Sequence, residues 1–374
     1  MKPIPISQVD AIFANGSYPI EFLLYYAHPI KTKQIRNALN FLSSPFWPVF
    51  GRFDNGQIVP VRYKETTFLE EKMMSTSFNP QAPAEEIFDK YKNFNPEQTE
   101  SLFFVTIIQY RNGTVLIPKM NHLVGDGYSY FYFLSVLAAL SQPTYIPLKK
   151  RILRHLLKPS LQRTVLKDFL FDAPPVVSVG KKQSYQIQFE YIPRKEVTAI
   201  IRGLSDSENG PVSGNDILSA MVVKKFAGLI NSDKDEEFFL TIPVDIRGQL
   251  SMYGPKYFGN GLYFNQTQFV SGQIPEMDIT GIARKIRNSM AEISVDSYVR
   301  YLDSWEDLIN SGQLQHLRPF DPNTGCLVTN LSRMPVNRLN FGSGNPDYIF
   351  PLTVEKNSTA VLADKTDYIL RLVY

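Results

Sequence analysis

Segments typical of β-strands alternate with segments of helical periodicity along the whole 374-residue chain. Strands are predicted over 102–110 and 114–120, joined through Asn112-Gly113, a pair that favours a tight hairpin because both residues tolerate positive φ. The segment 128–140 is predicted as a helix that is apolar on all sides, which indicates burial by several neighbours. The alternation favours an α/β fold in which mixed β-sheets are flanked by helices.

The second half of the chain repeats this alternation after a stretch rich in proline and basic residues. We therefore predict an N-terminal subdomain over residues 1–150, a crossover linker over 151–182 and a C-terminal subdomain over 183–374. A helix of the second half should begin after Ser213, because Asp216 stands three residues later and completes a capping box.

Composition excludes several classes of function. The formal net charge of +3 gives no support for nucleic-acid binding, which usually requires a clear basic excess. With one cysteine, Cys326, the chain can form neither an internal disulfide nor a cysteine-based zinc site. It also contains neither a two-histidine metal motif nor a phosphate-binding loop. We therefore expect no metal ion and no nucleic-acid partner.

The sequence also predicts where the protein resides. Residues 1–5 lack the apolar segment of a secretory signal, and the longest nearly apolar run, 128–140, is shorter than a membrane helix of ~20 residues. A chain with a single cysteine is consistent with a reducing compartment. We therefore expect a cytoplasmic monomer without membrane association.

His122 is the strongest candidate for a residue with a chemical role. It follows the second strand of the hairpin and precedes the apolar helix, a position from which loop side chains often enter a cleft. Asp126 stands four residues later between Gly125 and Gly127, which permit a tight turn. Such a turn can present the imidazole while the carboxylate points back into the protein. A histidine satisfied in the core or at the surface is the alternative that spacing leaves open.

Several segments in order along the chain match the motifs of one family. The segments 46–52, 122–127, 213–220 and 340–346 are similar to its fyPlAGR, HxxxDG, StxdxLxA and DFGWGxP motifs. The segment 244–247, followed by 257–260, is similar to its DxR and YFGN block. Together they resemble the BAHD branch of the HxxxDG acyltransferase superfamily, which also contains chloramphenicol acetyltransferase and the condensation domains of peptide synthetases.

The resemblance implies a fold and a reaction. The fold would be two chloramphenicol-acetyltransferase-like subdomains with the active site at their interface. His122 would act as general base on a hydroxyl or amine of a small-molecule acceptor, which attacks the thioester of acyl-CoA in a ternary complex. Acyl-CoA would be a co-substrate, with no tightly bound cofactor. Asp126 would be structural support, paired with Arg247, in an enzyme of secondary metabolism.

Further site residues follow from the same resemblance. The family's TxW stretch is Thr329-Asn330-Leu331 here, so Thr329 and Asn330 are the candidates to stabilise the oxyanion, unless both are ordinary strand residues. The candidates for binding the substrate or coenzyme A are Gly127, Ser213, Lys224, Lys225 and Asn260. In the DFGWG motif, Asn340 replaces the acid and Ser343 the tryptophan, a change expected to affect local packing.

Two alternatives stay open at this point. The acyl group could come from a carrier protein, as in condensation domains, or the chain could be a non-catalytic scaffold that retains the fold. The loss of the family tryptophan at Leu331 favours a scaffold slightly, whereas the intact His122 and Asp126 favour an enzyme.

Overall fold

Two large mixed sheets form the framework of the protein in the computed structural model. The structure describes residues 1–14, 18–92, 94–95, 101–142, 185–204, 211–230, 235–250, 253–254 and 257–374. The strands of these residues are β1 (Ile4–Pro5), β2 (Ile20–Tyr26), β3 (Arg52–Asp54), β4 (Gln57–Val59), β5 (Leu69–Met73), β6 (Phe103–Tyr110), β7 (Gly113–Met120), β8 (Ile187–Pro193), β9 (Glu237–Asp245), β10 (Leu262–Val270), β11 (Gly325–Asn330), β12 (Tyr348–Pro351), β13 (Ser358–Ala363) and β14 (Asp367–Val373).

Helices pack against the faces of these sheets. Those of the described residues are α1 (Gln8–Ala11), α2 (Thr32–Leu42), α3 (Glu65–Phe68), α4 (Ala84–Tyr91), α5 (Gly127–Leu140), α6 (Arg194–Leu204), α7 (Gly214–Ala227), α8 (Ile279–Ala291) and α9 (Val295–Asn310). The predicted capping box at the start of α7 is confirmed, because Ser213 Oγ accepts from Asp216 N and the Asp216 carboxylate accepts from Ser213 N. None of the described helices is long and apolar enough to cross a membrane.

The first sheet has the strand order β12-β2-β7-β6-β5, and its central hairpin is the one predicted from sequence. β6 and β7 are antiparallel, with Tyr110 opposite Gly113. Gly113 has φ 152°, and a Cβ added there would lie 2.0 Å from the carbonyl oxygen of Tyr26. The glycine is therefore required by the close approach of β2. β7 ends at Met120, and the apolar helix α5 starts seven residues later.

The second sheet has the order β10-β9-β11-β13-β14-β8 and is also mixed. β11 runs parallel to both β9 and β13, whereas the outer pairs are antiparallel. One core contains Ile217 and Val222 of α7, Ile286 of α8 and Leu370 of β14. These helices therefore cover one face of the sheet. The predicted fold class, two mixed sheets flanked by helices, is confirmed.

The packing does not follow the predicted split of the chain in every element. β12, assigned to the C-terminal subdomain, pairs antiparallel with β2 and forms the edge of the first sheet. Tyr298, Leu302 and Trp305 of α9 are buried in the first core. These two elements therefore pack across the predicted boundary. β12 pairs with backbone groups of β2 that would otherwise be unpaired at the edge of the sheet. The predicted linker, residues 151–182, lies outside the described residues.

Candidate active site

A cavity of about 330 Å³ lies between the two halves, as predicted for the site. Its lining is largely apolar, which provides a poorly solvated environment for polar groups within it. The N-terminal half contributes Phe13, Tyr18, Glu21, His122, Gly127 and Phe131, among others. The C-terminal half contributes Asn215, Phe264, Thr329, Asn330, Glu355 and Arg371, among others.

His122 lies in the turn between β7 and α5 and forms part of the cavity wall. Its ring stacks on Phe13, with centroids 3.8 Å apart and planes inclined by 20°. Nδ1 lies 3.0 Å from Oδ1 of Asn260, which is the ring's one side-chain hydrogen bond among the described residues. Nε2 therefore remains for a ligand in the cavity.

Asn260 determines which ring nitrogen carries the proton. Its Nδ2 donates to Oδ1 of Asp10 and to the backbone carbonyl of His122, both at 2.8 Å. Both amide protons are thereby used, so Oδ1 can only accept from Nδ1–H of His122. The neutral ring then carries its lone pair on Nε2, the form a general base requires.

This arrangement corrects the predicted role of Asn260 as a contact of substrate or coenzyme A. Asn260 is 1% exposed and lies outside the cavity wall, where His122 and Asp10 take up its hydrogen bonds. Asp10 was not identified from the sequence. The capping box that it forms with Ser7 at the start of α1 was the available signal, although such a box indicates only a helix start.

Burial controls the protonation of His122. Desolvation lowers the pKa of its imidazole below the ordinary value of 6.5, and the nearby charge of Asp126 partly opposes this shift. The neutral ring is therefore the favoured form at neutral pH.

The predicted pair of Asp126 and Arg247 is present. Asp126 caps α5 through Ser129 N at 3.0 Å, and its Oδ2 accepts from Gly261 N at 2.9 Å. Arg247 completes the pairing with two bonds, at 2.8 and 3.1 Å, one to each carboxylate oxygen. Burial by itself lowers the pKa of Arg247, but the charges and hydrogen bonds of Asp126 and Asp245 together raise it above its ordinary value. With four protein donors on its two oxygens, Asp126 holds the turn after β7 against residues 257–261.

Thr329 and Asn330 both line the cavity at the end of β11, and the two differ in how far their donors are committed within the protein. Asn330 Nδ2 donates to Asn215 Oδ1 at 2.7 Å, and its Oδ1 accepts from Ser332 N at 2.9 Å. The hydroxyl of Thr329 makes no side-chain hydrogen bond within the described parts of the chain. The Thr329 hydroxyl is therefore available to donate to a ligand, and Asn330 retains one of its two amide protons for the same purpose.

The two candidate lysines are not at the cavity. They occupy the last turn of α7, ~15 Å along the helix from its first turn, where Asn215 contributes to the cavity wall. Lys224 donates to the backbone carbonyls of Met277, at 2.6 Å, and Pro275, at 3.3 Å. Lys225 is paired with Glu190. The role of both lysines in binding donor phosphates therefore stays a prediction, and any such contact would lie outside the cavity wall.

The remaining two candidates differ in position. Ser213 caps α7 with its side chain turned toward Asp216 and lies outside the cavity wall, and its predicted role at a phosphate-binding helix start stays a prediction. Gly127 is the first residue of α5 and borders the cavity.

Other reactive groups contribute nothing to this site. Cys326 is buried away from the cavity wall, and burial raises the pKa of its thiol. The described residues contain no group of three or more histidine, cysteine, aspartate or glutamate side chains arranged for a metal ion.

The altered DFGWG motif keeps a local turn. Asn340 Oδ1 accepts from Gly342 N at 2.8 Å and from Gly344 N at 3.2 Å. Ser343 Oγ donates to the carbonyl of Pro29 at 2.8 Å. An uncharged amide oxygen thus accepts both backbone protons, so the expected damage to local packing is not observed.

Comparison with known proteins identifies relatives over nearly the whole chain. A shikimate O-hydroxycinnamoyltransferase from Nicotiana tabacum is 23% identical, over 92% of this chain and 85% of the relative. Vinorine synthase has a similar structure, with a TM-score of 0.76 and 16% identity, covering 100% of this chain and 90% of that chain.

Two further structures share this fold. TRI101 of F. graminearum, solved with coenzyme A and deoxynivalenol, gives a TM-score of 0.73 at 14% identity, covering 100% of this chain and 95% of that chain. The first condensation domain of the CDA synthetase gives 0.60 at 12% identity, covering 100% and 90%. A family model described as the Transferase family matches residues 70–368. The chain therefore belongs to the Transferase family, the family of the BAHD acyltransferases.

Proposed function

We propose that the protein transfers an acyl group from acyl-CoA directly to a hydroxyl or amine of a small molecule. One observation carries the proposal: the imidazole of His122 borders an apolar cavity with Nε2 unprotonated and Nδ1–H held by Asn260. Membership of the Transferase family and the coenzyme A complexes of TRI101 support the same donor.

In the proposed reaction, Nε2 of His122 takes the proton of the acceptor while its oxygen or nitrogen attacks the thioester carbonyl. The Thr329 hydroxyl donates to the developing oxyanion, a contribution typically worth ~3 kcal/mol. As the intermediate collapses, the carbon–sulfur bond breaks and the imidazolium returns its proton to the leaving thiolate. No acyl-enzyme forms in this sequence. Asp126 and Arg247 hold the loop that carries His122 without touching the substrates.

The setting of this reaction is part of the proposal. We propose that the enzyme works as a cytoplasmic monomer in secondary metabolism, with the domain division of residues 1–150 and 183–374 modified by the packing of β12 and α9. A carrier protein as donor is the second candidate, supported by the structural similarity to a condensation domain. The intact surroundings of His122 argue against a non-catalytic scaffold.

The test is a screen of acyl-CoA donors against alcohols and amines that follows release of free thiol. His122→Ala should lower turnover by ~10²–10⁴-fold, the usual contribution of a general base. Coenzyme A binding should persist in that variant. A matched control is His28→Ala, since His28 is exposed. A phosphopantetheine-bearing carrier protein tested beside acyl-CoA separates the two donors.

The pH profile provides an independent check. Because burial lowers the pKa of His122, activity should stay high as the pH falls to about 6.5 and decline only below it, when the ring becomes protonated. Near-normal transfer by His122→Ala, or a covalent acyl adduct trapped on the wild-type chain, would refute the proposed mechanism.

A further inference from the structure

Arg371 lies in the same cavity and has no role in the mechanism above. Its neighbours on β14, Leu370 and Leu372, are buried in the second core, so Arg371 points to the opposite face of the sheet. On that face it stands opposite Ala360 of β13, which in turn stands opposite Thr329 of β11. Arg371 and Thr329 thus occupy one row, separated by the small side chain of Ala360.

The guanidinium group of Arg371 is only partly satisfied. Nη1 donates to the backbone carbonyls of Pro351 and Thr353, both at 2.8 Å. Nε is buried without a hydrogen-bond partner, and the described residues provide none for Nη2. Nε–H and one Nη2–H form the edge of a guanidinium that binds a carboxylate with two parallel hydrogen bonds. Of these two donors, Nε has almost no accessible surface, so Nη2 is the one that remains for a ligand in the cavity.

The charge of Arg371 is also uncompensated. Arg371 is 4% exposed, and no carboxylate among the described residues forms an ion pair with its guanidinium group. Burial alone lowers the pKa of Arg371 to about 10, so the group is still protonated at neutral pH. Glu21 and Glu355 line the same cavity, but burial raises the pKa of both, that of Glu21 to about 7, which disfavours their anionic forms. A buried cation without a partner is costly, and an anionic ligand would offset that cost.

We propose that Arg371 binds a carboxylate carried by one of the two substrates. The proposal rests on the acyl transfer proposed above and specifies the substrate class of that site. Two strand spacings separate Arg371 from Thr329, so their backbones are ~10 Å apart. A carboxylate on Arg371 therefore belongs to the same small molecule, or to the same short acyl chain, whose reacting group lies at His122 and Thr329.

Matched probes distinguish the two sources of the carboxylate. The acceptor pair is 4-hydroxycyclohexanecarboxylate and its carboxamide, each tested with acetyl-CoA. The donor pair is succinyl-CoA and butyryl-CoA, each tested with a neutral alcohol that the wild-type protein accepts. We expect the wild-type protein to prefer the carboxylate member of one pair, and that pair identifies the substrate that Arg371 binds.

Variants then assign the preference to Arg371. Arg371→Met should reduce the ratio of kcat/KM for the carboxylate probe to that for its neutral partner by ~10–100-fold, the effect of losing a charge-assisted hydrogen bond. Arg371→Lys keeps the charge without the planar guanidinium, so it should retain part of this ratio of kcat/KM values. It replaces the methionine variant in the test if that variant does not fold. Arg194→Met is the matched control, because Arg194 also donates to a backbone carbonyl, that of Asp364, but is outside the cavity wall.

Direct binding separates this proposal from the proposed reaction. Calorimetric titration of both probe pairs into His122→Ala protein needs no turnover and should show the same carboxylate preference, lost when Arg371→Met is added. Preserved binding preference without any transfer by the wild-type protein would reject the reaction and retain the carboxylate site. Equal binding and equal turnover of the two members of each pair, or a preference unchanged by both Arg371 variants, would overturn the proposal.

Discussion

Asn260 accepts a hydrogen bond from His122 because its amide protons are taken by Asp10 and by the carbonyl of His122. The three side chains form a chain of hydrogen bonds that leads away from the cavity into the core. Its effect on the imidazole is to place the lone pair on Nε2. Asn260 is thus a positioning residue, which acts on the substrate through the histidine.

Removing this chain should affect turnover more than substrate binding. We expect Asn260→Ala to lower kcat by ~10–100-fold, the loss of about one strong hydrogen bond, while KM changes little because Asn260 does not reach the cavity. Steady-state kinetics measures the split. Asn265→Ala is the control, since Asn265 is similarly buried but bonds to Ser289. An increase of KM at constant kcat would instead assign Asn260 to substrate binding.

At the scale of elements, the turn between β7 and α5 is held by Asp126, whose carboxylate has four donors and is 1% exposed. Asp126→Ala should lower the free energy of unfolding by ~3–5 kcal/mol, because the buried Arg247 would lose its buried partner and keep only Asp245. Chemical denaturation measures this. Asp245 also bonds Arg247, at 2.9 Å, but its side chain is 45% exposed, so Asp245→Ala should cost less than ~1 kcal/mol. Full stability with lost activity in Asp126→Ala would make Asp126 a catalytic partner of His122.

The two glycines of this turn, Gly125 and Gly127, differ in how closely other atoms approach them. Neither glycine has a positive φ, so the turn does not need the backbone freedom for which glycine was expected at these positions. A Cβ at Gly125 would lie 2.7 Å from Cβ of Ser129 and 3.3 Å from the carbonyl of Gly259. The glycine at 125 is therefore required by close packing against Ser129 in the first turn of α5 and, less closely, against Gly259. At Gly127, the nearest atom would be Cε of Met334 at 3.6 Å, an ordinary contact.

A pair of alanine substitutions tests this difference. Gly125→Ala should lower the free energy of unfolding by ~1–3 kcal/mol, because the added methyl group would overpack the contact with Ser129. Gly127→Ala should leave stability unchanged or raise it by less than ~1 kcal/mol, since alanine favours the helix that starts there. Thermal unfolding of both variants provides the comparison, and equal losses would contradict the packing explanation.

At the scale of the whole molecule, the two sheets are connected through β12. This strand pairs with β2 of the first sheet, while Arg371 of β14 donates to the carbonyl of Pro351 at its end. α9 adds a second connection, because its buried residues belong to the first core although the helix follows β8, β9 and β10 of the second sheet along the chain. The first sheet and its core are therefore incomplete without residues of the C-terminal half.

We accordingly expect the protein to unfold in one cooperative transition. Trp47 and Trp305 both lie in the first core, so tryptophan fluorescence reports on that core, whereas far-ultraviolet circular dichroism reports on both sheets. The two denaturation curves should coincide. Phe350→Pro, which places a proline at the hydrogen-bonding position opposite Leu23 of β2, should shift both curves together to lower denaturant concentration. Separate transitions would show that the sheets are independently stable.

Much of the fold was accessible from the sequence because it depends on neighbours along the chain. The period of apolar residues located the β6–β7 hairpin and α5, and the capping box of Ser213 and Asp216 marked the start of α7. The ordered motifs indicated the family and identified His122 as the candidate base. Each of these signals lies within a few residues of the structure it specifies.

The remaining features depended on tertiary contacts between distant residues. Asn260 meets His122 across 138 residues and Asp10 across 250, so no local pattern could show that it orients the imidazole. The partners of the two α7 lysines, Glu190 and the carbonyls of Pro275 and Met277, could not be predicted, because a charge in the sequence carries no information about its partner in space. Arg371 belongs to an ordinary strand by sequence, and only the pairing of β14 with β13 and of β13 with β11 brings it into line with Thr329. Local periodicity thus determined the elements, whereas strand pairing and burial decided which polar groups face the cavity and which are satisfied within the protein.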